Sequence, residues 1–382
     1  MSRATQDVRI EAAILTDEQA RMQFGVDLAS RGIQANWLSV TNSGVAGLWF
    51  LATAFDADYY APNEAARLFF GELGSADEAR LARHFHEQAI PFRVPAGETV
   101  TGYVLTPRYE GGRFANFELV GRGRRVHLGF ALPIAGQVLD FADLDEAALY
   151  APSARRALDA EGLRRSLREL PCCATDEAGE GLGDPLNVVL VGHRSEVLGA
   201  LARGGWAFTH AINLRSIGRM VGAAISGTPY PVAPVSPLYL FGRAQDFALQ
   251  RARRGIAQRN HMRLWLSPWD FEGRPVWVGQ VSRDIGVKLT TRTPSLTTHV
   301  IDRQVDETRE YVLQSLLVNR TVDRFGFVAA ADGGAAAAPR TNLTGDPYET
   351  DGLRLVVVLA EEPVPPHEAR NLHWQEDVDP MR

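Results

Sequence analysis

The stretch from Ser236 to Asp302 limits what this 382-residue chain can fold into more than any other. Between His261 and Leu266 the residues alternate: His261, Arg263 and Trp265 against Met262, Leu264 and Leu266. Side chains on a strand point to opposite faces in turn, so the pattern demands a strand with one plain core face and one polar face. Leu238 to Gln250 and Ile256 to Leu266 read as two strands of a hairpin, with Arg253-Arg254-Gly255 at the turn. A two-residue turn at Arg254-Gly255 would set Asp246 opposite Arg263 and His261 opposite Ala248. Pro275 to Lys288 is a further strand carrying Asp284. Thr298 to Asp302 then leads into a helix reaching about Val318, with Asp302 as its N-cap and Val305, Val312 and Leu316 as its apolar stripe.

Upstream of this stretch, Leu186 to Gly192 is a continuous apolar run, as in a strand buried on both faces. Ser195 is placed to cap a helix from Glu196 to Arg203, ended by Gly204-Gly205. Neither GxGxxG nor GxxxxGK[ST] surrounds Gly192, so the turn lacks a phosphate-binding signature. Ile212 to Ile225 reads as a second helix, and Leu353 to Leu359 as the closing strand. This order of elements implies an α+β domain with helices packed on a mainly antiparallel sheet.

Residues 1–150 read as a β-rich domain. Gly32 to Val40 alternates like a half-buried strand, and Leu48 to Phe55 is an apolar run of strand length. Pro62 opens a helix toward Phe70, and Ser75 with Glu78 fits a capping box for another ending near Gln88. Strands at Val100 to Leu105, Phe114 to Val120 and Val126 to Pro133, separated by glycine turns, point to a β-sandwich with a helical insertion. Residues 151–183 read as a helical connector and linker, 184–365 as the α+β domain, and 366–382 as a tail. Within the connector, Pro171 to Pro185 is glycine- and acid-rich and reads as a loop, and Ala329 to Pro339 as a surface loop. Cys172 and Cys173 are the chain's two cysteines. They are expected as free thiols, with a vicinal disulfide or soft-metal site as the lesser alternatives, because adjacent cysteines do not suit ordinary disulfide geometry.

A formal charge of −6 argues against general nucleic-acid binding. The apolar runs fall short of the roughly 20 residues needed to span a bilayer, and MSRATQDVRI lacks the parts of a secretory signal. As written, the chain is expected to be cytoplasmic, with no transmembrane segment.

A set of short motifs occurs in order along the second half: Asp184-Pro185-Leu186-Asn187-Val188-Val189, Gly205-Trp206, Ser236-Pro237-Leu238-Tyr239, Phe241-Gly242-Arg243 with Asp246, Arg259 to Trp265, His299-Val300-Ile301-Asp302 and Thr350-Asp351-Gly352. Over roughly residues 184–360 they resemble the LssY C-terminal domain. That resemblance implies a bacterial protein, often linked with the envelope, and no known reaction. The residues themselves offer His261, His299, Asp284 and Asp302 as acid–base groups or ligands of a divalent metal. Arg243, Asp246, Arg259, Arg263 and Trp265 are candidates for binding a small anionic or envelope-derived molecule. A hydrolase is the leading expectation, and a non-enzymatic, envelope- or secretion-associated interaction or ligand-binding protein the rival. No GxSxG elbow supports a serine nucleophile.

Overall fold

A computed structural model describes residues 1–5, 7–71, 74–108, 113–133, 144–208, 237–252, 259–289, 297–331 and 340–374, without the side chains of 252, 286–289 and 297–299. The helix expected at Ile212 to Ile225, the turn at Arg254-Gly255, most of the alanine-rich loop and the end of the tail lie outside the described residues. The chain divides into two compact units, Met1–Leu139 and Asp140–Arg382.

The first unit contains β1 (Ser2–Ala4), β2 (Val8–Ile14), β3 (Ile33–Asn42), β4 (Leu48–Phe50), β5 (Arg93–Val94), β6 (Thr99–Pro107), β7 (Arg113–Gly121) and β8 (Arg124–Leu132). They form two four-stranded sheets, ordered β1-β2-β3-β6 and β5-β4-β7-β8. Ile10, Leu38 and Val40 from one sheet share a buried core with Phe50, Phe117 and Leu119 from the other, as a β-sandwich requires. The opposite face of the first sheet presents Ile33, Ala35 and Leu105. These pack with Phe24, Phe69 and Phe85 of the helical insertion, which holds α1 (Asp17–Phe24), α2 (Ala52–Phe55), α3 (Pro62–Arg67) and α4 (Ser75–Gln88). Two local expectations differ. The strand begun at Leu48 ends at Phe50 and gives way to the single turn of α2. Ser75 is the first helical residue rather than the cap, and Glu78 instead accepts from the Gly71 amide at 2.8 Å.

In the second unit, β9 (Arg156–Leu158), α5 (Ala160–Glu169), β10 (Cys173–Thr175), β11 (Leu182–Pro185), β12 (Val188–Val191), α6 (Arg194–Arg203) and β13 (Ala207–Phe208) come first. They are followed by β14 (Tyr239–Leu240), β15 (Arg243–Ala244), β16 (Phe247–Ala252), β17 (Arg259–Phe271), β18 (Arg274–Leu289) and β19 (Thr297–Ile301). The last elements are α7 (Val305–Val318), β20 (Val322–Ala329), β21 (Arg340–Thr341), β22 (Pro347–Tyr348), β23 (Leu353–Leu359) and β24 (Arg370–Asn371). The main sheet runs β13-β16-β17-β18-β12-β23-β20-β24, with β19 also on β18 and β9 along β17. Most pairings are antiparallel; β12 runs parallel to β23. The protein is therefore α+β, with a β-sandwich ahead of a mainly antiparallel sheet and its helices.

Register sorts this sheet's side chains into two faces. Leu264, Gly279, Val188 and Leu355 align across four strands on one of them. Helix α7 covers that face: Arg251 lies 5.1 Å from the Tyr311 ring centroid, and Arg309 5.3 Å from that of Phe327. Gly279 is needed in this row, because a Cβ there would sit 2.6 Å from Leu264 and 2.9 Å from the Arg263 carbonyl. Trp265, Val278, Val189 and Val356 align on the other face, in one core with Leu163 and Leu167 of α5. Arg354 projects from the same face, fully buried, and donates to the carbonyls of Leu186 (3.0 Å), Leu170 (3.1 Å), Pro171 (2.6 Å) and Leu167.

Several sequence expectations change here. The Pro171 to Pro185 stretch read as a loop forms the β10–β11 hairpin, and Cys173, Ala174 and Asp184 are buried in it. Cys172 and Cys173 are joined by a disulfide rather than being free thiols. Helix α6 starts at Arg194 after His193, whose amide donates to Glu196 at 2.7 Å, so Ser195 is not its cap. The Leu238 to Gln250 segment is broken into β14, β15 and β16. The register between β16 and β17 differs from the expected one by two residues: Ala248 faces Arg263 and Gln250 faces His261. A shift of two preserves the faces, since side chains alternate with period two. Among the described residues no helix is long and apolar enough to cross a membrane.

Candidate functional site

Along β17, Arg259, His261 and Arg263 leave the face that carries Trp265 further on. Opposite them on β18 stand Asp284, Ser282 and Gln280. All six are buried, His261 and Arg263 keeping 6% and 9% of their surface. Polar groups this far from water must find partners, and they do so in two connected halves. In the first, Nε2 of His261 lies 2.5 Å from Oδ2 of Asp284, the same oxygen that receives Nε–H of Arg259 at 3.4 Å. Arg259 also donates to Gln250 at 2.8 Å. In the second, Arg263 donates to Oε1 of Gln280 at 2.8 Å, while the Gln280 amide nitrogen donates to Ser282 (2.9 Å) and to Asp184 (3.0 Å). Asp184, delivered by β11, also accepts from Asn342 at 2.9 Å and stands 3.9 Å from Arg263.

Burial is the main influence on the imidazole and lowers the His261 pKa. Asp284 opposes that shift, and the nearby Arg259 and Arg263 charges add to it. The folded protein therefore holds His261 neutral, with the Nε2 hydrogen directed at the carboxylate and Nδ1 as the basic nitrogen. Burial likewise depresses the pKa values of Arg259 and Arg263, against the pull of the two aspartates. A pH dependence follows from His261. Its folded pKa lies below the ordinary 6.5, so as pH falls through 6.5 the unfolded chain takes up a proton that the folded one refuses. Stability should fall on acidification below that pH, by at most about 1.4 kcal/mol per pH unit from this group. Denaturation midpoints from pH 7.5 down to 5 check it. His261→Gln should flatten the slope, and an unchanged slope would assign the effect elsewhere.

The other candidates are dispersed. Arg243 binds Asp246 through Nε (3.1 Å) and Nη2 (2.7 Å), and donates to the Tyr150 hydroxyl and the Leu266 carbonyl, each at 2.6 Å. Asp246 also accepts from the Leu266 amide at 2.6 Å. This pair ties a broken strand to β17 some five residues beyond His261, roughly 17 Å along it. Trp265 is fully buried in the core and donates its indole N–H to the Arg243 carbonyl at 3.3 Å, which makes it packing, not a ligand platform. Asp302 sits 3.9 Å from Arg283, a residue of the opposite face beside Asn260, so it is separated from Asp284 by the sheet. Nor does it cap α7: its carboxylate receives the Gln304 amide at 3.1 Å, and the helix starts at Val305. The backbone of His299 pairs with Val287, but its side chain lies outside the described residues. Among the described residues no three His, Cys, Asp or Glu side chains come together as a metal-binding group.

Gln280, Ser282, Gln250 and Asn342 join the site without having been singled out in the sequence, and Asp184 joins it from the first of the LssY-like motifs, where it had no site role. The first two alternate with Asp284 along β18, and that signal was readable in Val278-Gly-Gln-Val-Ser-Arg-Asp284. Asp184 and Asn342 come from distant segments and carried no such pattern.

The LssY C-terminus family matches residues 165–353, from α5 to the start of β23. This part of the chain is an LssY C-terminal domain. The matched span contains every residue of the polar layer just described, and the β-sandwich lies outside it. No curated protein and no solved structure matches the chain.

Proposed function

We propose that the LssY domain binds a small anionic substrate at the Arg259–His261–Arg263 face, and that the His261–Asp284 pair supplies proton transfer for its hydrolysis. The observation carrying this reading is a buried imidazole held 2.5 Å from a carboxylate, with a guanidinium two residues away on either side along the same strand. Guanidinium groups match phosphate and carboxylate oxygens two at a time. A neutral histidine oriented by an aspartate is a competent general base: it takes a proton from water as the water oxygen attacks the ester, and returns it to the leaving group. The charge balance supports the same reading. Arg259 and Arg263 oppose Asp184 and Asp284 with His261 neutral, so the face carries no net negative charge to repel an entering anion, and the neutral imidazole keeps its capacity to accept a proton. Anionic esters from the cell envelope fall within this substrate class.

Calorimetric titration of the full chain with inorganic phosphate tests binding. Arg263→Lys retains the buried charge but loses the planar fork, and should weaken binding by about tenfold, the equivalent of roughly 1.4 kcal/mol. Equal affinity in a folded Arg263→Lys protein would remove the reading. Aryl phosphate mono- and diesters then assay turnover. Binding without turnover would leave a ligand-binding domain in place of a hydrolase.

A further inference from the structure

The Cys172–Cys173 disulfide lies where the two outer segments of the polar layer meet. Cys173 on β10 pairs with Pro185 on β11, immediately after Asp184, and the Leu186 amide donates to the Cys172 carbonyl at 2.8 Å. On its other side the Cys173 sulfur lies 3.4 Å from the hydroxyl of buried Tyr348, which ends the β21–β22 hairpin that opens at Arg340 and includes Asn342. Asp184 and Asn342 hydrogen-bond each other, so one cysteine pair touches both segments that complete the layer. The carbonyls just before it, Leu170 and Pro171, are held by Arg354. Cys173 is fully buried, whereas Cys172 is only half-buried.

We propose that this disulfide is a reversible redox element controlling how firmly β11 and the 340–348 hairpin hold Asp184 and Asn342 in the polar layer. The pair is suited to stepwise exchange with a dithiol reductant. Its thiolate attacks the accessible Cys172 sulfur, the Cys172–Cys173 bond breaks, and the electron pair leaves on Cys173, where the Tyr348 hydroxyl donates to the new thiolate. The reductant's second thiol then attacks its own sulfur in the mixed disulfide and releases Cys172. Two protein thiols are formed and the reductant is oxidised to its disulfide. Reduction opens the small ring through the 172–173 peptide and frees the backbone that β11 and Leu186 hydrogen-bond.

The test uses the full chain purified without reductant and does not depend on any ligand. Alkylation with iodoacetamide under denaturing conditions should label no cysteine before reduction and both afterwards. Hydrogen exchange should then quicken at least about tenfold in peptides covering 182–187 and 340–348 on reduction, with the β-sandwich unchanged. The Cys172→Ser, Cys173→Ser double variant should resemble the reduced protein. Two thiols labelled without reductant would overturn the proposal. A disulfide whose reduction leaves exchange in both segments unchanged would overturn it as well. Loss of phosphate binding is measured separately, so failure of the anion site and failure of the redox element remain distinguishable.

Discussion

Asp284→Ala is expected to destabilise the LssY domain by about 3–5 kcal/mol, the scale for removing one partner from a buried charged pair. The Asp284 carboxylate is 3% exposed and receives both His261 and Arg259. Alanine would leave a buried guanidinium opposed by less negative charge and an imidazole N–H without its acceptor. Asp284→Asn keeps the shape and an acceptor oxygen while losing the charge, and should cost roughly half as much. The measurement is chemical denaturation of the full chain, with the two units' transitions analysed separately. A loss below about 1 kcal/mol in Asp284→Ala would show that the layer relaxes or admits water, and that its charges are not tightly coupled. The same variants separate architecture from chemistry. A folded Asp284→Asn protein that binds phosphate but has lost turnover would place the carboxylate in proton transfer.

Arg354→Ala should produce a loss of similar size, about 3–5 kcal/mol, by a different route. One guanidinium satisfies carbonyls at Leu167 and Leu170 at the end of α5, at Pro171 just before the disulfide, and at Leu186 before β12. The carbonyls at the end of a helix have no partner within it, and here they are buried against the sheet. Removing the arginine strands several of them away from water at once. Arg354→Lys should recover only part of the loss, because one ammonium cannot imitate a planar fork that reaches four directions. Unfolding midpoints for both variants check the expectation. A loss under about 1 kcal/mol for Arg354→Ala would mean that water replaces the side chain.

These two side chains also show why the sequence was readable in some places and not in others. The β17 and β18 strands were legible because burial on a sheet imposes period two on the residues themselves: Met262, Leu264 and Leu266 had to share one face and His261 and Arg263 the other. That inference survived an incorrect register, since the error was two residues and the faces repeat every two. Arg354, in contrast, sits in a run of apolar residues, and nothing local reveals that its partners are carbonyls about 170–190 residues earlier in the chain. Asp302 shows the opposite failure. Its local surroundings fit an N-cap, yet the helix starts three residues later and Arg283 draws the carboxylate to the other face of the sheet. The cysteines misled for a related reason: adjacency argued for free thiols, and the bond between them is a property of the folded hairpin.

By itself the sequence determined the α+β class, the β-sandwich ahead of it, the two faces of the long hairpin and, over roughly 184–360, a resemblance to the family that matches residues 165–353. All of these rest on local periodicity or on motifs whose order survives without knowledge of packing. Tertiary structure alone decided which polar residues meet. It joined His261 to Asp284, recruited Asp184 and Asn342, sent Asp302 to the opposite face and made Trp265 part of the core. Alternation specifies only the face a side chain leaves from. Its partner is set by strand order and register, and those are fixed by burial of the whole sheet.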